Sequence, residues 1–207
     1  MKKVAVALHA TDEFDINSVV HLKTLDYIHV DVMDGIFVNN TMLNLEVFKQ
    51  LSNAFTIPII AHLMVTNPQQ YIEKIYEYTT AIFFHYEVEM DKSSIIRAIR
   101  KFDRKIGMVL NPPTPISEII PFLKELDFVL VMGVHPGWSG QTFIPNTISK
   151  VKELATYKDQ YSFEIDVDGG VNLENARKLI YADILSSSST ILKATNPNEV
   201  INSLRNT

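Results

Sequence analysis

The sequence Tyr27-Ile28-His29-Val30-Asp31-Val32 predicts a short buried β-strand that ends in polar side chains. Alternate residues of a strand point to the same face, so His29 and Asp31 project together. Polar groups at the end of an apolar strand cost stability unless a partner satisfies them. We therefore look for chemistry at this strand end and at other strand ends built in the same way.

Two further apolar runs end on residues of the same kind. The run Pro58–His62 ends on an imidazole, and the run Glu164–Asp168 places Asp166 and Asp168 on one face. Two imidazoles and two carboxylates at strand ends make a ligand set for one divalent ion such as zinc, iron, manganese or cobalt. The predicted metal ligands are His29, Asp31, His62 and Asp168.

Short apolar runs alternate with longer amphipathic stretches along the whole chain, at a spacing of roughly two dozen residues that is typical of strand–helix units. Eight strands are predicted: Val4–Leu8, Tyr27–Val32, Ile57–Leu63, Ala81–His85, Ile106–Leu110, Phe128–Val134, Phe163–Val167 and Ile184–Ser187. Helices are predicted between them, for example over Asn67–Tyr78, Lys92–Phe102, Asn172–Ile180 and Pro197–Leu204. This pattern predicts an α/β fold, a (β/α)8 TIM barrel that occupies residues 1–207 as a single domain. An open doubly wound sheet is disfavoured because the first turn, Leu8-His9-Ala10-Thr11, is not glycine-rich.

The composition narrows the classes of function. The chain has 207 residues, of which 46% are hydrophobic, and a net charge of −5, so nothing indicates a nucleic-acid partner. It has no cysteines, which excludes disulfides, thiolate metal sites and cysteine nucleophiles. The apolar run Val4–Leu8 is too short for the core of a signal peptide, and no stretch reaches transmembrane length. We expect a cytoplasmic protein with no membrane partner, and we expect it to form a homo-oligomer.

Histidine and glycine are scarce in this chain and fall mainly at the predicted strand ends. Only Gly107 among the glycines and His21 among the histidines lie elsewhere, His21 in a predicted helix. For His85, a satisfied histidine of the core is the alternative. In a barrel, the carboxyl ends of the strands form the face on which active sites are built. The histidines at predicted strand ends are His9, His29, His62, His85 and His135.

Three loops on that face have the composition of a phosphate-binding site. The segment His135–Gln141 contains Gly137 and Gly140, which allow the backbone to approach an anion or a lid to close. Asp168-Gly169-Gly170 and Ser187-Ser188-Ser189 follow the seventh and eighth predicted strands, after which barrels often bind phosphate. A run of serines is also compatible with a merely polar loop.

Four segments, in order along nearly the whole chain, carry a family pattern. They are His29-Val30-Asp31-Val32-Met33-Asp34-Gly35, His62-Leu63-Met64-Val65, Pro136-Gly137-Trp138-Ser139-Gly140-Gln141 with Phe143-Ile144-Pro145, and Val167-Asp168-Gly169-Gly170. The chain thereby resembles the ribulose-phosphate 3-epimerase family, and Asn111-Pro112 with Thr114-Pro115 also fits. The resemblance implies a metal-dependent sugar-phosphate epimerase on a TIM barrel of the ribulose-phosphate-binding type. It also implies that the four predicted ligands bind the metal and that Asp31 and Asp168 are the acid–base pair.

The activity implied by the resemblance is the interconversion of D-ribulose 5-phosphate and D-xylulose 5-phosphate, a small-molecule ketose phosphate substrate. Inversion at C3 requires proton removal from one face and delivery to the other, which two carboxylates accomplish. Methionines at strand ends are core residues by default, but over a reactive centre they would give an apolar lining. The predicted substrate-binding residues are His9, Met33, His62, Met64, Met132, Gly137, Trp138, Ser139, Gly140, Gly169, Gly170, Ser188 and Ser189.

The chain departs from the family pattern around the expected substrate. His9 and Asn39 stand where the family usually has serine and proline, Ser188-Ser189 stands for a Gly-Ser pair, and Trp138 replaces the commoner phenylalanine. These departures leave open a hexulose 6-phosphate such as allulose 6-phosphate as the substrate. They also leave open a divergent, non-catalytic barrel that binds phosphate or metal.

Two other enzyme classes on related barrels are disfavoured. The phosphate-binding decarboxylases and synthases need a lysine at the position of Met33. A Schiff-base aldolase needs a lysine at a strand end, and Lys193 lies beyond the serine loop.

Overall fold

The computed structural model describes residues 1–207 and shows a closed barrel of parallel strands. The strands are β1 (Lys3–His9), β2 (Tyr27–Asp34), β3 (Thr41–Met42), β4 (Ile59–Met64), β5 (Ala81–His85), β6 (Lys105–Leu110), β7 (Phe128–Met132), β8 (Glu164–Asp168) and β9 (Ile184–Ser187). All pair in parallel except the short β3, which pairs antiparallel with the end of β2. The ring closes because β1 pairs with both β2 and β9. The predicted (β/α)8 barrel is thus confirmed, and two strands, Ala81–His85 and Ile184–Ser187, have the bounds that the sequence predicts.

The connections differ in how much helix they contain. The α-helices are α1 (Glu46–Ala54), α2 (Gln69–Ile75), α3 (Lys92–Arg100), α4 (Asn146–Ala155), α5 (Leu173–Ala176), α6 (Ser189–Leu192) and α7 (Pro197–Arg205). The predicted helix 172–180 is therefore shorter than expected, and a single helical turn begins where the sequence indicates a serine loop. Helix α3 begins as predicted at Lys92, directly after Asp91, whose carboxylate accepts hydrogen bonds from the N–H groups of Ser93 and Ser94.

Two connections contain only 3₁₀-helical turns. The β1–β2 connection has one at Ile16–Ser18, where the Asp15 carboxylate accepts from the Asn17 N–H and favours a local turn over a helix. His21, expected in a helix, lies in a turn that follows. The β6–β7 connection has two, Ile116–Glu118 and Ile120–Glu125. In the second case Pro121 lies inside the segment, where proline removes a backbone donor and obstructs a continuous helix. Three further prolines precede the first turn: Pro112, Pro113 and Pro115.

The lower part of the barrel is filled with apolar side chains. Tyr27 and Phe128 meet edge to face with ring centroids 6.1 Å apart, and Phe83 packs against Phe128 at 5.3 Å. Gly107, the glycine away from a strand end, leaves room for Phe83, because a Cβ there would come within 2.1 Å of the Phe83 ring. The barrel floor is therefore tightly packed with apolar side chains, and the polar side chains collect above it at the carboxyl ends of the strands.

Candidate metal centre and substrate pocket

Three strands bring the four predicted metal ligands together above the packed floor. His29 and Asp31 lie on β2, His62 on β4 and Asp168 on β8, and strand register sets Asp31 directly beside His62. One candidate ligand atom from each residue lies within 4.8 Å of the others, and all four residues are buried. The Oδ1 atom of Asp31 lies 2.9 Å from Nδ1 of His62 and 3.2 Å from Nε2 of His29. The arrangement has the donor set and convergence of a divalent metal site.

The hydrogen bonds around the cluster fit a metal better than a closed polar core. Nε2 of His29 is buried and has no hydrogen-bond partner, although it faces the two carboxylates. Buried nitrogen atoms in proteins are almost always satisfied, so this atom indicates a missing partner. The other ring nitrogens face away from the cluster: Nδ1 of His29 lies 3.4 Å from Oγ of Ser186, and Nε2 of His62 lies 2.9 Å from His85. Metal-binding histidines are typically oriented in this way by contacts behind the ring.

Without a bound ion, the side chains of the cluster differ in their pKa values. Burial opposes a charged His29, but the contact with Asp31 and the charge of Asp168 outweigh it and raise the pKa of His29 to about 9. Burial, with the charge of Asp31 acting in the same direction, raises the pKa of Asp168 to about 6. For Asp31, burial is overcome by contacts with His29 and His62, which lower its pKa. The two carboxylates therefore differ in proton affinity, and Asp168 is the one that takes up a proton first as the pH falls toward 6.

The carboxyl end of the barrel encloses a pocket whose floor is this cluster. Its empty space is about 540 Å³, part of it open to solvent. Every predicted substrate-binding residue except His62 lines it, and His62 lies beneath, fully buried. Sequence reasoning did not select six further lining residues: Ala7, Val134, His135, Pro136, Val171 and Ser186.

Three buried methionines form the apolar wall of the pocket. Met64 and Met132 are the last residues of β4 and β7, Met33 is the last but one of β2, and each is only 2–3% exposed. Met33 and Met64 also pack together with Val38. Thioether side chains offer bulk without a titratable proton beside the two carboxylates.

His9 reaches the pocket from the end of β1. Its Nε2 lies 3.0 Å from Oγ of Ser139 and 3.8 Å from Oδ2 of Asp31. The imidazole therefore stands between the metal cluster and the β7–α4 loop (residues 133–145). The same loop is tied to the β2 side of the mouth, because Nδ2 of Asn40 donates to the Gly137 carbonyl at 2.9 Å.

The loops after β8 and β9 present unused backbone donors. Gly169 and Gly170 have φ of +98° and +68°, a conformation that favours glycine. The N–H groups of Gly169, Gly170 and Ser188 donate to no acceptor in the protein. Such a concave set of backbone donors is suited to an anion.

Two pairs of contacting side chains lie behind the cluster, and neither pair is among the site residues predicted from the sequence. Asp166, which the strand period places on the face of Asp168, accepts from the Ser186 hydroxyl at 2.9 Å behind His29. Nδ1 of His85 lies 3.3 Å from Oε2 of Glu87 behind His62. The spacing of two residues from His85 to Glu87 was the only sequence signal for the second pair.

The fold and the position of the site place the chain among the TIM-barrel enzymes. Residues 3–192 match the Ribulose-phosphate 3 epimerase family. A protein of Schizosaccharomyces pombe named ribulose-phosphate 3-epimerase is 36% identical over 187 residues, which cover 87% of this chain and 81% of that protein. One of Treponema pallidum with the same name is 37% identical over 177 residues, 82% and 80% of the two chains. The chain belongs to the ribulose-phosphate 3-epimerase family, which is metal-dependent.

Solved structures give the same fold at low sequence identity. KGPDC from Streptococcus mutans superposes with a TM-score of 0.77 at 14% identity, over 100% of this chain and 96% of that one. The 3-hexulose-6-phosphate synthase of Salmonella typhimurium gives 0.70 at 14% identity, over 99% and 97%. These likenesses support the barrel and carry no information on substrate. No helix in the structure combines the length and apolarity that crossing a bilayer requires.

Proposed function

We propose that this protein interconverts D-ribulose 5-phosphate and D-xylulose 5-phosphate by proton transfer at C3. The observation that carries the proposal is the convergence of Asp31 and Asp168 from separate strands onto one buried cluster at the pocket floor. Inversion of a carbon centre needs one group to remove a proton and another to deliver one from the opposite face. Family membership supports the same reaction, since the relatives are named for it.

The two carboxylates are assigned as the acid and the base. The lowered pKa of Asp31 and the raised pKa of Asp168, about 6, support Asp31 as the carboxylate that stays ionised and Asp168 as the one that more readily carries a proton. One carboxylate takes the C3 proton, and the other gives its proton to the opposite face. The reverse reaction uses the same pair with the roles exchanged.

His29, Asp31, His62 and Asp168 would hold one divalent ion, with zinc, iron, manganese and cobalt as the candidates. Such an ion supplies positive charge beside the substrate oxygens and thereby makes the adjacent C–H more acidic. The carboxylates bind and move protons beside it, while Met33, Met64 and Met132 exclude water from the carbon skeleton. Titration of the metal-stripped protein with each ion, with activity and bound metal measured together, identifies the effective one.

The substrate phosphate is assigned to the loops after β8 and β9. The free N–H groups of Gly169, Gly170 and Ser188 support this assignment, as does the presence of Ser189 on the same wall. Gly137, Trp138, Ser139 and Gly140 of the β7–α4 loop would cover the substrate from the opposite side. A ketose phosphate soaked into crystals tests the assignment, and a phosphoryl group bound elsewhere contradicts it.

A hexulose 6-phosphate is the second candidate substrate, because His9 places an imidazole donor or acceptor at the pocket wall where the family usually has serine, and so changes the polar contacts offered to the sugar. The test is exchange of the C3 proton with solvent deuterium, measured for ketopentose and ketohexose phosphates with the same metal. Exchange at C3 of the pentulose phosphate at the higher rate supports the proposed function. Faster exchange of the hexulose phosphate establishes the alternative, and no exchange with either indicates a non-catalytic barrel.

We also propose that the protein is a homo-oligomer and that it acts in the cytoplasm. The rice relative, 35% identical, is named a cytoplasmic isoform. Ile180 and Tyr181 are 65% and 44% exposed, and neighbouring apolar side chains of this kind are what a second copy would cover. Light scattering of the purified protein measures the assembly state.

A further inference from the structure

A series of polar contacts runs from His62 to Glu87 in the loop after β5, and the proposed reaction does not use it. Nε2 of His62 lies 2.9 Å from Nε2 of His85, and Nδ1 of His85 lies 3.3 Å from Oε2 of Glu87. Both imidazoles are fully buried, and the Glu87 side chain is 22% exposed. Groups with this burial need fixed partners, so the direction of each hydrogen bond matters.

The two imidazole rings meet edge to edge. Their planes differ by 20°, and their centroids are 5.0 Å apart. That separation is close to the sum of the 2.9 Å nitrogen–nitrogen contact and the two ring radii, so the nitrogens face each other nearly in the ring planes. This is hydrogen-bond geometry, in which one nitrogen donates and the other accepts.

Glu87, at the far end of this series of contacts, is held as a hydrogen-bond acceptor. Oε1 of Glu87 accepts from the Asn111 N–H at 2.8 Å and from the Thr114 hydroxyl at 2.5 Å. Lys150 fixes the loop that carries these donors, because its Nζ donates to the carbonyls of Asn111, Pro112 and Thr114. Oε1 is therefore held by these two donors, and Oε2 is the oxygen that faces His85.

Proton positions follow from this geometry. An ionised Glu87 only accepts, so Nδ1 of His85 must carry a proton and Nε2 of His85 must present a lone pair. His62 then donates through Nε2, and its Nδ1 lone pair faces Asp31 at 2.9 Å. Two acceptors at this distance repel each other unless a cation contacts both, and a bound metal ion beside the pair would do so.

We propose that Glu87 and His85 are positioning residues that hold His62 in the tautomer whose Nδ1 atom is available to the metal ion. The inference rests on the metal site argued under Proposed function. The β6–β7 loop then supports the metal site indirectly, since its residues Asn111 and Thr114 orient Glu87. Contacts of this kind behind a ligand typically change metal affinity by about 10–100-fold.

Glu87→Gln is the sharpest test because the amide has the shape of the carboxylate but replaces one acceptor oxygen with an NH₂ donor. If the amide oxygen stays with Asn111 and Thr114, its NH₂ faces His85 and favours a proton on the wrong nitrogen. If the amide flips, the Asn111 N–H loses its acceptor. Glu118→Gln is the matched control, because Glu118 is an exposed neighbour that accepts only from the Tyr86 hydroxyl.

Three quantities are measured on the whole protein: zinc affinity by chelator competition, the protonated nitrogen of His85 by ¹⁵N NMR of the zinc form, and unfolding of the metal-free form. We expect His85 protonated at Nδ1 in the wild type, and about a 10–100-fold loss of zinc affinity in Glu87→Gln with metal-free stability close to wild type. Glu118→Gln should match the wild type in all three. His85→Gln, which retains an acceptor for His62, should bind zinc more tightly than His85→Leu.

Each contrary outcome is distinct. Unchanged zinc affinity in Glu87→Gln, or a wild-type His85 protonated at Nε2, overturns the positioning role and leaves the metal site intact. Equal losses of zinc affinity and metal-free stability make Glu87 a structural residue only. Failure of the wild type to bind zinc, manganese, iron or cobalt overturns the metal site and this inference together.

Discussion

Nε2 of His9 lies 3.0 Å from Oγ of Ser139, so the end of β1 is joined to the β7–α4 loop across the mouth of the pocket. The same nitrogen is 3.8 Å from Asp31. A residue in this position can act on the substrate in the pocket and on the loop above it. Serine, which the family usually has here, is too short to bridge the mouth in the same way.

We expect His9→Ser to change the ratio of kcat/KM for pentulose and hexulose phosphates, because it enlarges the pocket wall and removes a donor or acceptor. A difference of one small group typically changes discrimination by about 10–200-fold. Ser139→Ala is the control, since it breaks the same contact without altering the wall made by His9. Equal ratios before and after His9→Ser would show that His9 does not select the substrate.

Asp31→Asn and Asp168→Asn should each abolish net epimerisation. Acid–base groups contribute about 10²–10⁴-fold, and loss of a candidate metal ligand adds to this. Steady-state kinetics and bound metal are measured together, with Asp12→Asn in the exposed β1–β2 connection as the control. Near-wild-type turnover by either variant with metal bound would disprove the two-carboxylate mechanism.

Metal affinity should rise with pH between about 6 and 9. Without an ion, the pKa values of His29, about 9, and Asp168, about 6, are raised, so each group holds a proton that a metal must displace below that value. The apparent affinity therefore gains about tenfold per pH unit for each displaced proton, and the gain ends above pH 9. Chelator competition in buffers of equal ionic strength measures it. An affinity that is constant from pH 6 to 9 would contradict the assignment of these ligands.

Ser188→Asp should raise KM by about tenfold or more while changing kcat little, because it places a negative charge at the proposed phosphate site. Ser188→Gly is the matched variant and should leave KM unchanged or lower it, since only the hydroxymethyl group is lost. Gly170→Val should also raise KM, but a Cβ there presses on the backbone of Phe143 at 3.1 Å, so its effect includes strain. If the new charge left KM unchanged, the substrate phosphate would have to bind elsewhere.

The order and kind of the strands could be predicted because the signal is local. A β-strand alternates its faces every residue, so the spacing of His29 and Asp31 is enough to place both on one face. The carboxyl ends of parallel strands meet at one edge, so His62 and Asp168 join them once the barrel is recognised. Loops rich in glycine identify the remaining wall in the same way.

Other features depend on partners that are distant in sequence. Nothing around Gly107 indicates that Phe83 fills its missing side chain, since that contact exists only when β5 and β6 are paired. The β6–β7 connection is different, because it occupies the place of a barrel helix but forms only 3₁₀ turns, and the signal for this is its own prolines.

By itself, the sequence determined the order of the strands, the four polar residues at strand ends and the glycine loops, because periodicity and residue chemistry act over a few positions. Only the tertiary structure decided what stands behind those residues. It joined Glu87 to His62 through His85, turned His9 toward Ser139, and left Nε2 of His29 without a partner. These relationships depend on closing the barrel, since hydrogen-bond direction and burial are set by side chains brought together from separate strands.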